Sequence, residues 1–183
     1  MQWRAFNYTY LVIYPQDRKQ QVLQILGLQA YENFNHHFAA EKALAETATL
    51  TGRDLFFAWF NRASSLVALQ DYAGAAAAFD TAFANYAQLP AAERPWRMMW
   101  YQTGPYFAYY YTSRYQDVIN LATDTINAAN EPVLEESFYW RAKAEEALIQ
   151  VDPAVKDLQK CLVAHAEFQP CIDELKILGI EPK

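Results

Sequence analysis

Residues 56–89 read FFAWFNRASSLVALQDYAGAAAAFDTAFANYAQL, and this stretch decides the fold. With Phe56 as position 1 of a helix-turn-helix unit, Trp59, Ala63 and Leu66 fall at positions 4, 8 and 11, and Tyr72, Ala75, Phe79 and Ala82 at 17, 20, 24 and 27. Each position holds the size class that such a unit needs. Small residues at 8, 20 and 27 let two antiparallel helices approach closely, and the aromatics at 4, 17 and 24 fill the space around them. Asp71, just before the second helix, has the side chain of an N-cap.

The pattern continues toward the C-terminus. A second unit sets Trp100 at position 4 and Gly104 at position 8, then Tyr115, Val118, Ala122 and Thr125 at 17, 20, 24 and 27, with two extra residues in its first helix or turn. A third sets Phe138, Ala142, Ala154, Leu158 and Cys161 at 4, 8, 20, 24 and 27, with Asp152-Pro153 expected as a cap followed by a first-turn proline. The repeats therefore span about 56–89, 97–130 and 135–168, separated by a long loop over Leu89–Pro95. A last helix over 170–179, ended by Gly179, closes the apolar end as terminal units of solenoids must. Toward the N-terminus a helix is expected over 35–50, with Phe38, Ala45 and Ala48 at helical spacing and Gly52 as its cap. Before it, a helix starting at Pro15 or Gln16 should stop at Gly27. Tyr8–Tyr14 is β-branched and aromatic, the composition of a short strand. The predicted fold is thus an all-α superhelix over 16–183 with a strand appendage over 1–15.

From Asp54 to Gly179 these residues resemble the tetratricopeptide repeat family, a resemblance that implies a concave face for a protein or peptide. A narrower likeness lies in Tyr8–Pro15, Ala58–Asn61, Trp96–Tyr106 and Tyr139–Ala142, which are similar to the C-terminal repeat region of bacterial proteins whose upstream half is a papain-like cysteine peptidase domain of the bacteriocin-processing kind. That likeness implies a strand left over from an upstream domain, and it carries no catalytic residue into this chain.

Composition bounds the function. Hydrophobic residues make up 53% of the 183 residues and charged residues 20%, enough to bury a core. A net charge of −6 argues against nucleic acid and against anionic membrane surfaces. No signal peptide or membrane-spanning run is visible, so a soluble protein is expected; its compartment is left open. Cys161 and Cys171 are too few for a disulfide framework or a four-cysteine zinc site. Cys161 reads as a packed thiol at a helix contact, with a disulfide to Cys171 as the other reading. The adjacent His36-His37 cannot form the i, i+4 pair of a helical metal site, and His165 reads as a histidine near a helix end, so no metal is assigned. Glu135-Glu136 suit a helix N-terminus, and Glu145-Glu146, as neighbours on a helix, do not converge on one substrate atom. No phosphate loop, zinc-protease or nucleophile-elbow motif is present, and neither catalysis nor a cofactor is expected. In Tyr106–Tyr111, Phe107 and Tyr110 are assigned to the core and Tyr109 to an aromatic lining.

The expected function is a non-catalytic protein- or peptide-binding module. First-helix positions 5, 9, 12 and 13 lie opposite the packed positions on a helical wheel. These are Phe60, Tyr101 and Tyr139 at 5, Ser64 and Lys143 at 9, Glu146 at 12 and Tyr109 at 13. The alternative is a structural accessory whose face is covered by an adjoining domain of the same protein, and strand pairing over 8–14 between two copies would give a homodimer.

Overall fold

The computed structural model describes residues 18–95, 97–98, 101–129 and 133–182, with side chains at 25 and from 27 onward. Eight α-helices follow one another there: α1 Arg18–Glu46, α2 Gly52–Ala68, α3 Tyr72–Gln88, α4 Gly104–Tyr111, α5 Tyr115–Ala129, α6 Glu135–Ala147, α7 Val151–Ala164 and α8 Gln169–Ile177. The described residues contain no strand. The expected strand over 8–14, the helix start at Pro15, the dimer built on them and Trp100 lie outside the described residues. Each helix packs chiefly on its chain neighbours, the main addition being α2 on α4.

Three helix pairs, α2/α3, α4/α5 and α6/α7, close with the same turn. Gln70, Ser113 and Ile149 hold left-handed backbone at φ 61°, 60° and 62°. Each donates its N–H to the carbonyl three residues back, at 2.9 Å, and the next residue (Asp71, Arg114 or Gln150) donates to the carbonyl five back, at 2.8–2.9 Å. This double bond pattern satisfies the last carbonyls of each first helix and reverses the chain at one fixed position. Asp71 caps α3 as expected, its carboxylate accepting from the Gly74 N–H at 3.0 Å.

Alanines make the contact inside the first pair. Ala63, Ala75, Phe79 and Ala82 are 0% exposed, so ring and methyl groups interlock with no space left over. Ala142 and Ala154 do the same in the third pair. Enlarging Ala75 or Ala142 to Leu is expected to lower stability by about 1–3 kcal/mol each, because extra methylenes must push the helices apart. Thermal melts unchanged in both variants would show that these contacts are not the close ones.

Several sequence expectations need correction. Helix α1 runs straight through Gly27, since one mid-helix glycine costs only about 1 kcal/mol and breaks nothing by itself. Among its described side chains Ala40 and Ala43 are buried, held to α2 where Arg62 donates to the Ala40 carbonyl at 3.0 Å; Phe38, Ala45 and Ala48 face solvent. The helix ends at Glu46, and Gly52, at φ 56°, begins α2 instead of capping α1. In the third pair Gln150, not Asp152, is the N-cap, and Asp152 lies in the first turn.

The second pair is shifted in register. Counted back from its turn at Ser113, Gly104 holds position 6, Tyr106 position 8 and Tyr109 position 11. The extra residues therefore precede α4, which has only eight residues. Tyr106 is 0% exposed and its hydroxyl meets Ser137 Oγ of α6 at 3.0 Å. Tyr109, assigned above to a lining, is core, while Phe107 and Tyr110 are half-buried. At the C-terminal end Cys161 and Cys171, both 0% exposed, form a disulfide, so the packed free thiol is replaced by a covalent tie from α7 to α8. Gly179 at φ 74° ends α8, with the Ile180 N–H returning to the Leu175 carbonyl at 2.9 Å.

Candidate functional site: an aromatic face on the first helices

The corrected register puts Phe107, Tyr110 and Tyr111 of α4 at positions 9, 12 and 13, and α6 supplies Tyr139, Trp140, Lys143 and Glu146 at 5, 6, 9 and 12. Their rings run on from one helix to the next. Tyr72 stacks on Tyr111 at 4.6 Å between centroids, Tyr111 meets Tyr110 at 5.5 Å, and Tyr110 meets Trp140 at 5.4 Å. Phe107 packs on Trp140 at 4.4 Å; Tyr139 joins Trp140 at 5.6 Å and Phe168, ahead of α8, at 6.2 Å. Contacts of this spacing fix ring orientation without closing the surface, and Tyr111 remains 55% exposed.

One charged group ends the row. The Lys143 ammonium lies 2.9 Å from Glu174 Oε1 and 3.2 Å from Glu146 Oε2, so one cation serves two carboxylates. Burial alone would lower the Lys143 pKa, but its bonds to Glu174 and Glu146 outweigh burial and raise it. Burial raises the Glu146 carboxyl, with Lys143 opposing and Glu174 adding to the rise. These two directions agree on a charged lysine and an under-compensated acid. Glu146 Oε1 is buried with no donor directed at it, and Glu174, which shares the Lys143 ammonium, lies beside that carboxyl. Burial likewise raises the Tyr110 and Tyr139 phenols, which stay protonated donors.

Of the seven residues expected to line a groove, Tyr139, Lys143 and Glu146 come together here. Phe60 is 2% exposed and lies among Phe56, Phe79 and Phe83 in the core. Ser64 turns its hydroxyl back to the Phe60 carbonyl at 3.0 Å, and Tyr109 donates to Asp80 at 3.0 Å. Tyr101 is 78% exposed but sits in the turn before α4, off the helix. Phe107, Tyr110, Tyr111, Trp140, Phe168 and Glu174 were not anticipated as a face. Counting α4 back from Ser113 instead of forward from Trp100 would have found the three on α4.

Glu145 and Glu146 diverge as expected, Glu145 toward Asp157 and Arg141, Glu146 toward Lys143. Among the described residues no three His, Cys, Asp or Glu are placed to hold a metal ion, and no described helix is long and apolar enough to cross a membrane. What the face offers is ring surface and phenol donors. Comparison with family models, curated proteins and solved structures gives no match to this chain.

Proposed function

We propose that this chain is a tetratricopeptide-type helical superhelix that holds an extended protein or peptide segment, without catalysis, on a concave face formed by α4 and α6. The observation that carries the reading is the row of rings from Tyr72 to Phe168, in which Tyr72, Tyr110, Tyr111, Tyr139 and Phe168 are part-exposed and the buried Trp140 backs them from the core. Tyrosine and tryptophan bury large area at low entropy cost, and their hydroxyl and indole groups match the backbone of an extended peptide. The test is selection of binders from a random peptide library with the whole chain, followed by Tyr110→Ala and Tyr139→Ala. Each substitution should weaken a selected peptide by about 2 kcal/mol, roughly 30-fold, with the helical circular dichroism unchanged. A library that yields nothing, or binders indifferent to both variants, overturns the reading.

A second reading has its own support. Phe34 and Phe38 lie on one side of α1, 65% and 64% exposed, and an adjoining domain would bury them. In that case the chain is an accessory of a cysteine peptidase-like protein. Coding sequence upstream of residue 1 carrying a papain-like Cys and His, with α1 protected from hydrogen exchange in the longer protein, would favour it.

A further inference from the structure

A cleft of about 390 Å³ opens between α3 and α5, sharing no residue with the aromatic face. Its volume lies at the low end for ligand pockets, about 300–1,000 Å³, and suits one or two side chains. Phe83 and Tyr86 of α3, Leu121 and Ala128 of α5, and Met98 make its apolar walls. Among the described residues its rim carries Asp80, Asp117 and Asp124 against one cation, Arg114.

These acids differ in state. Arg114 is bidentate to Asp80 at 2.7 and 2.9 Å and reaches Asp117 through Nε at 2.6 Å, with its guanidinium 4.4 Å over the Tyr109 ring. Asp124, two turns beyond Asp117 on α5, has neither hydrogen bond nor ion pair in the described structure. The lining thus keeps excess negative charge beside an apolar wall. An uncharged ligand laid there would desolvate the Asp124 carboxylate with nothing in return. A cation on an apolar stem satisfies both parts of the wall. The chain already makes this contact with its own side chains at two places beside the cleft. Arg114 lies over Tyr109, and Arg94 lies 5.6 Å over Tyr86 while donating to the Leu89 and Ala87 carbonyls at 2.9 and 3.0 Å.

We infer that this cleft takes a lysine or arginine side chain of a partner peptide, its stem against Phe83, Tyr86 and Leu121 and its charged head at Asp124. The site is independent of the aromatic face, so either can fail alone.

The probes are N-acetyl-Leu-Arg-Leu-amide and its glutamate counterpart, titrated into the whole chain and followed by backbone amide resonances. The arginine peptide should shift α3 and α5 and bind more weakly as salt rises. Asp124→Asn, at an exposed position that threatens no packing, should weaken it about three- to fivefold. Ala128→Trp should fill the cleft and abolish binding, while Tyr110→Ala leaves it unchanged. Equal binding of the glutamate peptide, an affinity untouched by Asp124→Asn, loss in Tyr110→Ala instead, or no shifts at millimolar peptide would each overturn the inference.

Discussion

Replacing Arg141 by Met is expected to lower the stability of this chain by about 3–5 kcal/mol, the range for stranding one member of a buried ion pair. Arg141 binds both oxygens of Asp157, through Nε and through Nη2 at 2.9 Å, and its Nη1 donates to Thr123 Oγ1 at 3.0 Å. One side chain of α6 thereby ties α5 to α7. Asp157 is only 5% exposed at its side chain, and Lys160, 57% exposed and 3.8 Å away, is a poor replacement partner. The pair itself is a separate matter from its breakage. Arg141→Met combined with Asp157→Leu should recover most of the loss, because two apolar residues need no desolvation of charge. Urea unfolding of the two single variants and the double variant measures the coupling. A loss below about 1 kcal/mol for Arg141→Met would mean that the pair behaves as a solvated surface bridge.

Glu145 should make the chain less stable in mild alkali than in mild acid. It is 8% exposed at position 11 of its pair, where the other pairs hold Leu66 and Tyr109, and its Oε2 has no hydrogen-bond partner. Burial, then the Asp157 charge, push its carboxyl up to about 7, with Arg141 and Lys160 pulling the other way. A carboxyl that holds its proton more tightly when folded favours the folded state at low pH. That advantage is complete below the unfolded value near 4.5, declines as pH rises, and is gone above about 7. The expected span is about 2–3 kcal/mol. Glu145→Gln should match the parent near pH 4.5 and exceed it by that amount at pH 8, measured as the difference between their urea midpoints across pH. Superimposable profiles would show that water reaches the carboxyl.

Most of the first pair was legible because every contact position from Trp59 to Ala82 carries the size that contact requires. Legibility fell where chain length, not residue type, sets the register. The residues ahead of Gly104 look like a helix start, and only the left-handed turn at Ser113 places Tyr109 at a packed position. Gly104 still behaves as a small residue, since a Cβ there would meet Phe79 Cζ at 3.3 Å. The disulfide stood only as the second reading of Cys161 for a similar reason: a separation of 10 residues says nothing about Cα distance, which the α7–α8 turn brings to 6.5 Å. As for the site, Tyr139, Lys143 and Glu146 follow from helical spacing on α6. Glu174 joins them from α8, whose angle to α6 no local pattern encodes.

The Cys161–Cys171 bond matters most when the chain is pulled. Helices that contact chiefly their chain neighbours are expected to come apart under tension one pair at a time, each lengthening the tether as it unravels. The segment between the two sulfurs cannot join in, which withholds roughly 33–36 Å of contour for a separation of 10 residues. Force entering from Lys183 therefore bypasses the turn between α7 and α8 and reaches the body of α7 at Cys161 directly.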